Sequence, residues 1–172
     1  MKIPAVIRDM GAALKLYYFQ DPQGNFGDDL NPWLWDKLLP DFFDDDDSEV
    51  FVGIGTLLNH RVPVAPIKHV FGSGVGYGSL PSLDEKWLFH AVRGFESARL
   101  LGLPRELVIT DSAVLIRVTK FPLLQTKDKR FGFIPHCLSS RCFDWATVCE
   151  DLGIHYISCL LYTSPSPRDD IS

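Results

Sequence analysis

Short apolar runs, each only long enough for one buried strand, alternate along this chain with stretches that carry helix signals. Leu14–Phe19 (LKLYYF), Glu49–Gly53 (EVFVG), Lys68–Gly72 (KHVFG), Trp87–Val92 (WLFHAV) and Leu107–Thr110 (LVIT) are each bounded by turn residues. Runs of this length without polar alternation suit strands covered on both faces. Between them, Asp28 or Asp29 can cap a helix reaching Leu39, with Pro32 in its first turn and Pro40 ending it. Phe95–Leu101 reads as a short helix closed by Gly102. Strands separated by helices predict an α/β fold, a Rossmann-like parallel sheet joined by crossovers.

A second set begins near Arg130. RFGFIPH reads as a strand ending at His136, Ser139–Leu152 as a helix with Gly153 after it, and Ile154–Ser158 as another strand. The polar stretch Gln125–Arg130 is the candidate linker, so residues 1–129 are expected to form one Rossmann-like domain and 130–158 the start of a second. Residues 159–169 (CLLYTSPSPRD) match one reading frame of a transposase-end sequencing adapter. Residues 159–172 are therefore expected to be a non-native tail, and the chain to be the front part of a longer protein.

Composition narrows the function classes. With 172 residues, 46% hydrophobic and 23% charged, the chain has room for one domain or slightly more and is not a disordered type. Seventeen basic against 22 acidic residues leave a net charge of −5, without the clustered positive charge that nucleic-acid binding requires. No apolar run approaches the length of a membrane-spanning helix. A cytoplasmic protein, at most peripheral at the membrane, is the expectation. Cys137, Cys142 and Cys149 fit neither a zinc spacing nor a closed disulfide set, and reduced cysteines are expected, with Cys142 and Cys149 on the buried face of one helix.

Glycine clusters mark the candidate ligand loops. GSGVGYG at 72–78 follows a strand, but Tyr77 or Ser79 stands where the dinucleotide fingerprint needs its third glycine. The Gly53 and Gly55 pair fails in the same way at Leu58, so no nicotinamide or ATP site is expected. The loop holding Gly72 and Gly74 still suits close approach of backbone to a ligand. Gly24-Asn25-Phe26-Gly27-Asp28 lies between a strand and a helix start. It is either a substrate loop, with Asn25 and Asp28 reaching sugar hydroxyls, or a plain turn capped by Asp28. The acidic run Asp44–Asp47 lacks the glycine spacing of a calcium loop and reads as solvated, so no metal site is expected.

The ordered segments GNFGDDLNPWLWDKLLP, VFVGIGTLL, HVFGSGVGYG, AVRGFESARLLGL, ITDSAVLI and FGFIPHC resemble the polysaccharide pyruvyl transferase family, from about Lys15 to Ser158. The resemblance implies a two-domain architecture of the GT-B kind. It also implies transfer of the enolpyruvyl unit of phosphoenolpyruvate onto a sugar diol as a cyclic ketal, with phosphate released. The setting it implies is exopolysaccharide or cell-surface glycan synthesis, with a glycan or lipid-linked oligosaccharide acceptor and no cofactor besides the phosphoenolpyruvate donor. The family's later Arg-x-His or Ser-x-His segment, which the resemblance associates with phosphoenolpyruvate binding in the second domain, does not occur in this chain, so the chain alone is expected to be inactive.

Residue chemistry adds candidate roles. Arg93 follows a strand beside a glycine at a helix start, where a guanidinium can clamp a phosphate or carboxylate; the alternative is a surface arginine paired with Glu96. His136, at a strand's carboxyl end, is a candidate for acid–base or phosphate contact; the alternative is a polar turn residue. Asp28 is the candidate partner of an acceptor hydroxyl. Asp111 is expected to hold a loop or cap the next segment, and His60, His69 and His90 to be structural. Two other functional readings stand beside the first: a GT-B glycosyltransferase using a nucleotide sugar, and a noncatalytic α/β carbohydrate-binding domain.

Overall fold

The structure is a computed structural model that describes residues 14–22, 24–119 and 131–160. The chain divides into two compact units, one of Met1–Phe19 and Gly27–Phe121, the other of Gln20–Phe26 and Pro122–Ser172. The first carries a five-stranded sheet in which every pairing is parallel. Its strands are β1 (Leu14–Tyr17), β2 (Phe43–Asp44), β3 (Glu49–Val52), β4 (Ile67–Ser73) and β5 (Trp87–Val92), in the order β2-β1-β3-β4-β5. This is the α/β class and the Rossmann-like parallel sheet that the apolar runs predict. The order reverses direction between β1 and β3, and open α/β sheets take ligands at the carboxyl ends of their strands beside such a reversal.

Both faces of the sheet are covered, which is why the strands read as continuous apolar runs. On one face Val50, Val52, Val70 and Val92 pack with Leu57, Leu58, Ala98 and Leu101. On the other, Phe51 and Ile54 meet Leu30, Leu34 and Trp35 of α1 (Phe26–Leu38). Trp35 stands edge-on to Phe51 with ring centroids 4.7 Å apart. Each fully buried aliphatic or aromatic side chain of this kind contributes ~1.5–3 kcal/mol relative to exposure. α2 (Phe95–Leu101) ends at Gly102, whose φ of 66° lets its N–H reach the carbonyls of Ala98 and Arg99.

Several details depart from the sequence expectations. α1 begins at Phe26, so Asp28 and Asp29 occupy its first turn rather than the cap, and Pro32 lies beyond that turn. Proline has no N–H for the Asp28 carbonyl, and the Asn31 side chain replaces it, Nδ2 donating to Asp28 O at 2.9 Å. Leu107–Thr110 forms no strand. Arg105–Leu107 is a 3₁₀ turn and only Val108 makes a parallel bridge, to Val92, while Ile109 is left exposed. The two-residue β2 leaves no signal in the sequence, because a strand that short has no period to detect. The acidic run is exposed: Asp44 ends β2, and Asp45–Asp47 form a loop that bonds back to it, Asp44 Oδ1 accepting from Asp46 N at 3.0 Å.

Pairing of β4 with β5 is irregular twice. Val70 pairs with Phe89 and Phe71 with Ala91, leaving His90 as an extra residue; Ser73 then pairs with Val92, leaving Gly72 as the extra residue on β4. Gly72 takes a φ of 78°, and a Cβ there would lie 2.9 Å from Thr110 O and against Ser112. Bulge geometry and close packing therefore both require glycine at this position.

The second unit is a small β-α-β arrangement. β6 (Gly132–Phe133) pairs in parallel with β7 (His155–Tyr156), and between them lie α3 (Cys137–Ser140) and α4 (Trp145–Asp151). The single helix expected over Ser139–Leu152 is thus interrupted. Asp144 begins a new one, its carboxylate accepting from Thr147 N at 3.2 Å and from Thr147 Oγ1 at 2.8 Å. Because Cys142 falls in the interruption it is exposed, contrary to expectation, whereas Cys149 is buried on α4. The four cysteines are free. Arg141 pairs with Asp21 at 2.8 Å within this unit. The expected linker Gln125–Arg130 and most of the expected tail lie outside the described residues.

Candidate functional site

The carboxyl ends of β3, β4 and β5 are tied into one rim by backbone bonds. Gly74 N donates to Gly55 O at 3.0 Å, Leu58 N to Gly74 O at 3.1 Å, and Arg93 N to Ser73 O at 2.9 Å. Ser73 is fully buried beneath them; its Oγ donates to Gly55 O at 3.0 Å and accepts from Leu57 N at 3.2 Å. These bonds fix where the side chains above can stand.

Arg93 reaches from the end of β5 across β4 toward the loop after β3. Its Nη2 donates to Thr56 Oγ1 at 2.7 Å and its Nη1 to Asp111 Oδ2 at 3.3 Å. Asp111 also caps the 3₁₀ segment Ser112–Val118, its Oδ1 accepting from Ala113 N at 2.9 Å. The guanidinium lies over Gly74, where a Cβ would be 2.7 Å from Arg93 Nε. Arg93 and Asp111 side chains remain 36% and 27% exposed, so the pair is held yet open to solvent. A guanidinium has five N–H donors, and two here are engaged by protein side chains.

At the β1–β3 reversal the chemistry changes sign. Gly55 has a φ of 110°, and a Cβ there would lie 3.1 Å from Asp28 Oδ1, so the carboxylate sits against a bare α-carbon. Tyr17, the last residue of β1, donates from Oη to Arg61 O at 3.2 Å. Burial raises the Tyr17 phenol above its ordinary range; the Asp28 charge adds to this and Arg61 opposes it. The rim therefore offers a fixed cation toward β5 and a carboxylate with a protonated phenol toward β1.

The structure distributes the sequence-derived candidates over both units. Arg93 is on the rim, and its partner is Asp111 rather than Glu96, which pairs with Arg99 at 2.5 Å. Gly74 lies under Arg93, and Gly72 is the bulge residue packed on Ser112. Gly27 and Asp28 belong to the first unit, whereas Gly24 and Asn25 belong to the second. Gly24 makes a turn with φ 76°, its N–H donating to Asp21 O at 2.9 Å. His136, also in the second unit, N-caps α3, its Nδ1 accepting from Leu138 N at 3.3 Å.

Sequence reasoning missed Thr56, Tyr17 and the pairing of Asp111 with Arg93. Thr56 directly follows the Gly53-x-Gly55 pair, and a hydroxyl at a glycine-rich strand end was the available signal. It also missed the setting of two histidines. His69 Nε2 lies 2.7 Å from Glu49 Oε2, and His69 Nδ1 lies 3.2 Å from His90 Nε2. Among the described residues, no group of three or more His, Cys, Asp or Glu side chains is placed to hold a metal ion. Among them, too, no helix is long and apolar enough to cross a membrane.

The chain is similar to the succinoglycan biosynthesis protein ExoV of Rhizobium meliloti, with 42% identity over 148 residues. The match covers 84% of this chain and 46% of that protein, so the chain spans about half the length of the curated relative it matches. No protein-family model matches the chain. No solved structure matches it either.

Proposed function

We propose that this chain is part of a transferase of exopolysaccharide synthesis that moves the pyruvyl unit of phosphoenolpyruvate onto a sugar diol. Two things support the reading. One is the 42% identity to a succinoglycan biosynthesis protein, and the other is the resemblance of the rim segments to polysaccharide pyruvyl transferases. The observation that carries the chemistry is Arg93, a permanently charged planar donor held over Gly74 at the carboxyl edge of the sheet.

In the reaction, one sugar oxygen bonds to C2 of phosphoenolpyruvate as its methylene C3 gains a proton and becomes a methyl group. The C2–O bond to phosphate then breaks as the second sugar oxygen bonds to C2, and inorganic phosphate departs. Of the two hydroxyl protons lost, one balances the proton gained at C3 and the other leaves with the phosphate; a carboxylate near the acceptor helps to remove them, and an anion clamp holds the donor. On this reading Arg93 holds the donor's phosphate or carboxylate, and Asp28 accepts from an acceptor hydroxyl. Donor phosphate and carboxylate are both oxyanions, to which a guanidinium donates charge-assisted hydrogen bonds.

A nucleotide-sugar transferase would use the same edge differently, and backbone amide shifts separate the two. Titrating the chain with phosphoenolpyruvate is expected to move the amides of Thr56, Gly74 and Arg93, while UDP-glucose leaves them in place. Movement with UDP-glucose instead, or with neither ligand, overturns the reading.

A further inference from the structure

We propose that Thr56 is a specificity-determining partner of Arg93, the two forming one oxyanion holder for the donor; the proposal rests on the reading of the function above. Thr56 Oγ1 accepts from Arg93 Nη2 at 2.7 Å, which uses a lone pair and leaves the hydroxyl proton to donate. Arg93 retains three N–H groups beyond those given to Thr56 and Asp111. A hydroxyl that accepts from the guanidinium has its own proton available for whatever oxyanion the guanidinium holds. Donors of both kinds then converge on one ligand oxygen.

The surroundings favour this over an incidental surface contact. Thr56 and Arg93 are 37 residues apart and meet only because the β3 and β4 loops are bonded through Gly55, Ser73 and Gly74. Gly74 is not in the left-handed region, so its backbone would accept alanine. What excludes a side chain there is the guanidinium itself, with Nε, Nη2 and Cζ at 2.7, 3.0 and 3.1 Å from the Cβ position. Thr56 is fixed from the other side, since a Cβ on Gly76 would run into its Cγ2. Two glycines thus clear the space in which threonine and arginine meet. Asp111 completes the holder by taking Nη1, which stops the guanidinium from turning about its long axis.

The ligand chemistry is an oxyanion, and two groups of the donor carry it, the phosphate and the carboxylate. Inorganic phosphate, pyruvate and phosphoenolpyruvate are the probes, titrated into the chain by calorimetry and followed by the Arg93 Nε–Hε resonance. Thr56→Val, which keeps shape and loses the hydroxyl, is expected to weaken phosphoenolpyruvate binding by about tenfold. Thr56→Ser should restore it. Gly74→Ala, which leaves Thr56 intact and displaces the guanidinium, should weaken binding similarly and shift the Arg93 resonance. The smaller probe that loses affinity with Thr56→Val identifies the group held, phosphate or carboxylate. Unchanged affinity for all three probes in a folded Thr56→Val variant, with Arg93→Lys still weakened, would overturn the role of Thr56 and leave the clamp. Unchanged affinity in Arg93→Lys as well would remove the clamp and the functional reading together.

Discussion

Asn31 pairs with the backbone of Ile54 as a neighbouring strand would. Its Oδ1 accepts from Ile54 N at 2.8 Å and its Nδ2 donates to Ile54 O at 3.0 Å, with the side chain fully buried. The same amide serves Trp35 Nε1 at 3.2 Å and the Asp28 carbonyl freed by Pro32. One side chain thereby fastens α1 to the loop that carries Gly55 and Thr56. Replacing Asn31 by Leu strands four polar groups, three of them buried, and the expected cost is about 3 kcal/mol or more. Urea unfolding checks this. A loss below about 1 kcal/mol would mean that water or a backbone shift satisfies those groups.

Gly53 is tied to the same joint. A Cβ there would come within 2.7 Å of Asn31 Oδ1 and against Trp35 Nε1, both engaged with each other. Neither neighbour is a free side-chain end, so Gly53→Ala should destabilise by about 1–3 kcal/mol. Its double mutant with Asn31→Leu should cost less than the sum, because the clash and the amide share one space.

The bulged His90 sets a pH dependence. Burial chiefly, and then the neighbouring His69, lower its pKa from the ordinary 6.5. The folded state therefore holds His90 neutral where the unfolded chain already binds a proton. Stability from this group is complete above pH 6.5 and declines as pH falls below it, until the folded-state pKa is passed. Melting temperature measured between pH 7 and 5 should fall, and less steeply in His90→Gln, whose amide can donate to or accept from His69 Nδ1 without titrating. Equal slopes in the two proteins would place the titration elsewhere.

Asp28 and Tyr17 are coupled through space. The Asp28 charge helps to raise the Tyr17 phenol, so Asp28→Asn should lower the Tyr17 pKa, leaving it raised by burial. Ultraviolet titration of the phenol, with Tyr17→Phe as the assignment control, reads this directly. Asp28 lies in the first turn of α1, where its charge also favours the helix, so the stability loss should stay within about 1 kcal/mol. A Tyr17 titration indifferent to Asp28→Asn would separate the two residues.

The sheet was legible because strands buried on both faces leave apolar runs, and Trp87–Val92 matches β5 at both ends. Leu107–Thr110 has the same signature, but only Val108 finds a bridge partner, and composition cannot report the absence of one. Arg93 was legible as an arginine at a strand end before a glycine. Asp111 was legible as the cap of the segment after it, which it is, but its pairing with Arg93 and the part played by Thr56 were not, because those contacts join positions 18 and 37 residues apart. Glu49, His69 and His90 stayed hidden for the same reason, with the bulge at His90 adding a register shift that no alternation rule contains.

Calorimetric titration of the chain with phosphoenolpyruvate, in wild type and Arg93→Lys, tests the central claim most directly. Lysine keeps the charge but has one nitrogen where arginine bonds through two, to Thr56 and to Asp111. Saturable binding to the wild type is expected, with a loss of ~1–3 kcal/mol, about five- to 150-fold in affinity, in the variant. Equal affinity in the two proteins would contradict that claim.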